Sequence, residues 1–423
     1  MRRFIPVGSA LALAAAALTA PTLQTASAAP AADAGKTPTA YAFNAGGYGT
    51  RIRGGQLPAS SGSTAYQSIG CTNMAGIARH NEVADVAIPG LGTVSGIRTD
   101  VSTVQTPSET ASISEHKIAR IVLAETSFGK LSIGGLTSYA KASATAAGYD
   151  TETKTTVATL RFEPTGGTPM ELELPTPGQP IEIPGLVKIS IGEHRERTGA
   201  DWARARSDAL FIKLIPTNTT VTVGHTKAQI TKGVKNGLFA GSANTTSTEL
   251  LGGIATTGRT QLVQMPCQGT EGKVKTNAAV GVNLPGLLEV GAVQSSQMGQ
   301  NLPYRSNGFE ESSVASINLG NGALVVEAVK GRVNVLRGRK QGKKPIVNFD
   351  GSQVAGITVD GQAYTLPELD GLEIPGIAKI ETMVEERVKN GGRITALRLT
   401  LLDGSGAVVN LGQASLKIRP SGR

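Results

Sequence analysis

Apolar and polar residues alternate with a period of two along much of this chain. Val187, Ile189 and Ile191 alternate with Lys188 and Ser190. Ala158, Leu160 and Phe162 alternate with Thr159 and Arg161, and Leu397, Leu399 and Leu401 with Arg398 and Thr400. A two-residue period puts one set of side chains on a core face and the other in water, so these runs predict half-buried β-strands. Asp350-Gly351 and Asp360-Gly361 bracket a strand-length run from Ser352 to Val359, and Asp403-Gly404 precedes another. Asp-Gly is a favoured tight-turn pair in hairpins. One stretch reads differently. Asp201 to Lys213, with Trp202-Ala203-Arg204-Ala205-Arg206, has the propensity of an alanine-rich helix. Its counterpart later in the chain favours a strand. Ala209-Leu210-Phe211-Ile212-Lys213-Leu214 aligns with the alternating Ala396-Leu397-Arg398-Leu399-Thr400-Leu401, which predicts a strand from about Ala209.

That alignment is part of a larger repeat. Glu182-Ile183-Pro184-Gly185-Leu186-Val187-Lys188-Ile189 returns as Glu373-Ile374-Pro375-Gly376-Ile377-Ala378-Lys379-Ile380, and Ile88-Pro89-Gly90-Leu91 returns as Leu284-Pro285-Gly286-Leu287. Such self-similarity predicts one folding unit used twice. The units run from residue 40 to 233 and from 234 to 423, each long enough for its own core. The Pro-Gly pairs mark strands entered from tight turns, with Pro fixing φ and Gly reversing the chain. The expected fold is all-β: two homologous β-sandwich-like units related by internal duplication, with a closed barrel as the alternative. Glycine, at 53 of 423 residues, exceeds the roughly 7% of an average chain, as a turn-rich fold requires.

The N-terminus has the form of a secretory signal. Met1-Arg2-Arg3 precedes an apolar run from Ala10 to Leu18 and the small-residue site Ala26-Ser27-Ala28. Cleavage there removes residues 1–28 and leaves residues 29–39 as a flexible leader. No later apolar stretch is long enough to span a bilayer as a helix. The expected location is therefore secreted, extracellular or loosely cell-wall associated.

The two cysteines keep the register of the repeat: Cys71 and Pro89 recur at the same spacing as Cys267 and Pro285. Equivalent residues near a pseudo-two-fold axis meet each other, as in a symmetric dimer. In an oxidising compartment this predicts a Cys71–Cys267 disulfide that staples the units together.

Tyr41-Ala42-Phe43 through Tyr48-Gly49-Thr50, Gly70-Cys71-Thr72-Asn73, Ile88-Pro89-Gly90-Leu91-Gly92 and Val223-Gly224-His225-Thr226 resemble the actinobacterial secreted proteins called choice-of-anchor P. The resemblance spans most of the mature chain and rests on strand and turn signatures. It implies an exported β-rich protein with a variable mode of attachment, and it carries over no catalytic motif. The last residues, Lys417 to Arg423, contain no recognisable anchor, which argues against covalent attachment.

Catalytic chemistry finds little support. His80, His116, His194 and His225 all lie in the first unit, with no two at ligand spacing, and the position matching His225 in the second unit is Gln413. The Ser114-x-x-Lys117 and Ser138-x-x-Lys141 spacings need a helix to share a face, and both sit in strand-like sequence. Glu310-Glu311 and Glu385-Glu386 read as solvated strand edges, since adjacent carboxylates on a strand diverge. No catalytic residue, metal site or cofactor is expected.

Charge is the remaining lead. The chain is +9, and Lys330, Arg332, Arg337, Arg339, Lys340, Lys343 and Lys344 form an acid-free run that reads as an exposed hairpin tip. Clustered cations attract polyanions, so Arg337, Arg339, Lys340, Lys343 and Lys344 are the candidate anion-binding residues and an anionic cell-envelope polymer is the expected partner. Nucleic acid is not, because few aromatics are present to stack bases. The expected role is a non-catalytic structural or interaction protein of the cell envelope. An envelope-acting hydrolase and a carbohydrate-binding module are the alternatives.

Overall fold

A computed structural model describes residues 35–421 apart from 55–58, 62, 89–91, 124–128, 186, 216–217, 251–254, 258, 285–287, 321, 339–343, 365–370 and 403–405. The fold is all-β, with every strand pair antiparallel in four sheets. The longer strands of the first half are β1 (Thr37–Gly54), β2 (Gln67–Ala75), β3 (Ala78–Ile88), β4 (Gly92–Gln105), β5 (Glu109–Leu123), β6 (Gly129–Thr145), β7 (Gly148–Pro164), β8 (Val187–Ile191), β9 (Trp202–Leu214) and β10 (Thr219–Lys232). Those of the second half are β11 (Gly237–Leu250), β12 (Val293–Asn301), β13 (Arg305–Leu319), β14 (Leu324–Gly338), β15 (Gln353–Val359), β16 (Ala378–Val388), β17 (Gly391–Leu401) and β18 (Val408–Pro420).

In the first half, one sheet runs β8-β9-β10-β1-β2 and packs against a second that runs β3-β4-β5-β6-β7. In the second half, a sheet containing β16-β17-β18-β11 packs against one containing β12-β13-β14-β15. The strand order of the first half thus recurs in the second. Each half is a sandwich whose main core lies between its sheets. Ile97, Ile118, Ile133 and Leu136 meet Ile189, Leu210, Ile212 and Val221 in the first. Val314, Ile317, Val326 and Val329 meet Ile380, Leu397, Leu399 and Leu411 in the second. Each such side chain contributes about 1.5–3 kcal/mol by leaving water.

Several sequence expectations are met in detail. Asp360 (φ 47°) and Gly361 (φ 78°) form the tight turn after β15, the both-positive geometry that suits Asp-Gly. Gly185 (φ 73°) and Gly376 (φ 72°) turn the chain at the two Pro-Gly pairs. Asp403-Gly404 lies outside the described residues. The strand expected from Ala209 begins earlier, at Trp202. Its alanines are inward positions: Ala203 and Ala205 share a buried cluster with Ala140 and Ala142 of the facing sheet. Small residues suit a place where two sheets approach closely, and tertiary packing there overrides helix propensity.

A line of irregular pairing crosses the β3–β7 sheet. The pairing passes over Gly96, Ala119, Gly135 and Ala158. Gly96 (φ 59°) and Gly135 (φ 60°) hold left-handed conformations, and a Cβ on Gly96 would stand 2.7 Å from that of Ala119. Crossing the line moves the inward set by one residue. Ala158, expected to face the core with Leu160, is therefore exposed, and Val157 turns inward in its place. Gly224 (φ 64°), Gly412 (φ 63°) and Ala328 (φ 47°) mark the same break in the other three sheets. Beyond it lie smaller apolar clusters around Phe43 and Phe239. Between the two clusters of the first half the interior is polar, with Thr99, Ser112, Ser114, His116, Ser138 and Ser207 buried.

The halves meet about a local two-fold relation. The short strand Ala59–Ser61 leaves the first half and pairs with Ala255–Thr257, which itself pairs with β11. The register is Ser61↔Ala255, Ser60↔Thr256 and Ala59↔Thr257. Exchanging each residue for the one 196 positions away leaves this pairing unchanged, as symmetry about a two-fold axis requires. Cys71 and Cys267 obey the same rule. They are disulfide-bonded with Cα atoms 5.2 Å apart and are buried with Ala42, Val234 and Leu238. The backbone N–H groups of Gly233 and Val234 donate to the Ala40 carbonyl, tying the start of the second half to the first strand.

Candidate functional site

The basic run between Lys330 and Lys344 is distributed differently from its sequence reading. Arg337 is 5% exposed. Its Nε donates to the Ile418 carbonyl at 2.6 Å and its Nη2 to Asn390 Oδ1 at 2.7 Å, and burial lowers its pKa. It therefore braces β14 against β18 and is withdrawn from solvent. Lys330 and Arg332 both bind Glu311, at 3.1 and 2.8 Å, and the Arg332 guanidinium lies 3.9 Å from the Phe309 ring centre. Glu311 is paired with Arg332 in the β13–β14 register, so the run has an acid beside it in space though not in sequence. Lys344 is exposed, while Arg339, Lys340 and Lys343 lie outside the described residues.

Across the outer face of the β9–β10–β1 sheet, Asp208, His225 and Tyr48 occupy one paired row. His225 Nδ1 and Asp208 Oδ1 are 2.6 Å apart, and Arg206 Nη2 donates to Asp208 Oδ2 at 2.7 Å. The Tyr48 and His225 rings stack with centres 4.5 Å apart. Burial pushes the Asp208 carboxyl upward, but His225 and Arg206 outweigh it and hold its pKa below the usual value. Burial also dominates at His225 and lowers its proton affinity despite Asp208. The result is a carboxylate with a built-in guanidinium, sealed under the His225 ring. His116 is buried too; its Nδ1 lies 2.7 Å from Thr99 Oγ1, and burial, then His225, lowers its pKa to about 3. It stays neutral at physiological pH. Among the described residues, no three His, Cys, Asp or Glu side chains gather closely enough to hold a metal ion.

The corresponding row of the second half is Thr395, Gln413 and Asn244 across β17, β18 and β11. Here small polar groups replace the stacked rings. Asn244 Nδ2 donates to Gln413 Oε1 at 2.8 Å, and Ser247 Oγ donates to the same oxygen at 2.7 Å. The space left is an open groove of about 580 Å³ whose described lining includes Arg259, Arg393, Lys417 and Arg419 and no carboxylate. Arg393 reaches Glu386 of the neighbouring strand at 3.2 Å, and both side chains are more than half exposed. Burial, then Arg393 and Arg419, lowers the Lys417 pKa. Burial, then Arg79, lowers that of Arg419. The sequence signal was faint, because these four cations come from three separate segments. Another opening, about 680 Å³, lies at the junction of the halves and includes Trp202, Arg204, Lys232, Lys235 and Gln268. The Arg204 guanidinium is 4.8 Å from the Trp202 ring centre.

Glu310 departs most from expectation. Read as part of a solvated edge with Glu311, it is instead fully buried (0% exposed). Neither of its carboxyl oxygens has a hydrogen-bond partner among the described residues. Burial raises its pKa well above the usual carboxylate value. The clue lay in parity: Glu310, Ser312 and Val314 alternate on one face, and Val314 is core. At the corresponding place in the first half, Ser114 Oγ donates to the Gly46 carbonyl at 3.0 Å.

No family model, curated protein or solved structure matches this chain, and no helix among the described residues is long and apolar enough to cross a membrane.

Proposed function

We propose that this is an exported structural or interaction protein of the cell envelope, without catalytic activity, that binds an anionic envelope polymer and is secreted or loosely held at the wall. The observation that carries the reading is the Cys71–Cys267 bond across the junction of two sandwiches. Disulfides persist in oxidising compartments, and this one joins the halves into one body suited to presenting surfaces. The resemblance to choice-of-anchor P proteins implies export. Of the buried titratable groups, Asp208, His225 and His116 Nδ1 are engaged with neighbouring side chains, whereas the Glu310 carboxyl is not.

The test is direct. Protein collected from culture fluid is expected to have its N-terminus at or near Ala29 and no free thiol when denatured without reductant. It is also expected to be retained on purified cell walls at low salt and released as salt rises, since exposed charges are screened beyond about 8–10 Å at 0.1–0.15 M. An intact chain found in the cytoplasm, or one indifferent to cell walls, would overturn the reading.

A further inference from the structure

We propose that the groove on the outer face of the β11–β18–β17 sheet binds an extended phosphate-bearing polyanion, with Arg259, Arg393, Lys417 and Arg419 as its charge partners. This rests on the envelope-binding role above and moves the binding site away from the 337–344 basic run. The first half supplies the comparison. There Arg206 is neutralised by Asp208 on the same strand, and the space above is filled by Tyr48 stacked on His225. In the second half Thr395 stands where Asp208 stands, and Asn244 and Gln413 stand where the rings are. One substitution set therefore removes the internal anion and opens the room for an external one.

The compensation left to these cations comes from Glu386, an exposed carboxylate of β16 that pairs with Arg393 and favours the charged form of Lys417. Lys417 and Arg419 are partly buried and lie close enough to Arg393 and Arg79 to weaken each other's charged forms. Bringing like charges together in a half-dry groove is costly unless an anion joins them. Successive outward positions on a strand lie about 6.5–7 Å apart, so Lys417 and Arg419 form a row that an extended chain of charges can follow. Three of the four cations are arginines, whose planar forks match tetrahedral oxyanions. Asn244 and Gln413 provide a polar floor.

The probe is inorganic polyphosphate, titrated calorimetrically onto the mature protein at low and moderate salt. The parent protein is expected to bind with strong salt dependence. A Lys417→Gln/Arg419→Gln variant is expected to bind at least tenfold more weakly with its unfolding midpoint unchanged. Thr395→Asp, which restores the carboxylate found in the first half, is expected to lose a similar factor. Reversal of Arg339, Lys340, Lys343 and Lys344 to Glu is expected to leave binding within about twofold. Parental affinity in the Lys417/Arg419 variant overturns the groove, as does loss of binding on reversing the 339–344 charges alone. So does binding to anionic lipid vesicles in place of polyphosphate. If polyphosphate does not bind but cell-wall retention persists, the groove proposal fails and the envelope role stands.

Discussion

A Cys71→Ala/Cys267→Ala variant is expected to unfold with a free energy about 3–5 kcal/mol below that of the parent protein. The bond closes a loop of 196 residues, for which the chain-entropy account gives about 5 kcal/mol; this is an upper figure, because measured gains follow loop length poorly. Alanine is the useful replacement. Both cysteines are buried among Ala42, Val234 and Leu238, where a serine hydroxyl would add a desolvation cost unrelated to the cross-link. The two sandwiches have separate cores, so the variant should also lose cooperativity and unfold in two steps. The short pairing between Ala59–Ser61 and Ala255–Thr257 is too small to hold them as one unit. Denaturant unfolding of the variant, and of the parent with and without reductant, measures this. A variant that unfolds at the parental midpoint in one step would show that the staple contributes nothing.

The second large effect is at Glu310. Glu310→Gln is expected to stabilise the protein at neutral pH and to leave it nearly unchanged near pH 4. The folded carboxyl is buried without a partner and keeps its proton well above the usual value of 4.5. The unfolded carboxyl loses its proton near that usual value. Between the two, the unfolded state binds fewer protons, so parental stability falls as pH rises, by up to about 1.4 kcal/mol per pH unit. The fall begins near the unfolded value and ends at the raised native one. Glutamine keeps the shape and removes the titration, so its advantage should grow across that window. Denaturant titrations at pH 4, 5, 6 and 7 decide this. Parallel stability curves for the two proteins would mean that Glu310 is already solvated or paired in the native state.

The disulfide and the buried carboxylate were not equally legible in the sequence. The cysteine pair was readable because similar segments recur in the two halves: Cys71 and Cys267 keep the same spacing to Pro89 and Pro285, and matching places near a two-fold axis touch. Glu310 was half readable. Its parity with Ser312 and Val314 pointed inward, but its charge and its neighbour Glu311 argued for solvent, and charge is the stronger local cue.

Fold class was legible along the chain, because alternation, Asp-Gly turns and Pro-Gly turns act over a few residues and need no distant partner. The cysteine partnership was legible too, through the recurring segments. Long-range packing set which side chains alternation leaves outside. At Ala158 a break in pairing moved the inward set by one residue, and no local pattern announces such a break except a glycine able to take positive φ, here Gly135. It likewise decided which cations are tied up inside the protein and which line a groove. Arg337 is consumed by Ile418 and Asn390, from segments far along the chain. Arg259, Arg393, Lys417 and Arg419 converge only when β11, β18 and β17 lie side by side. Net charge belongs to composition, but a groove without an internal carboxylate belongs to register, and register is set by contacts between strands distant in sequence.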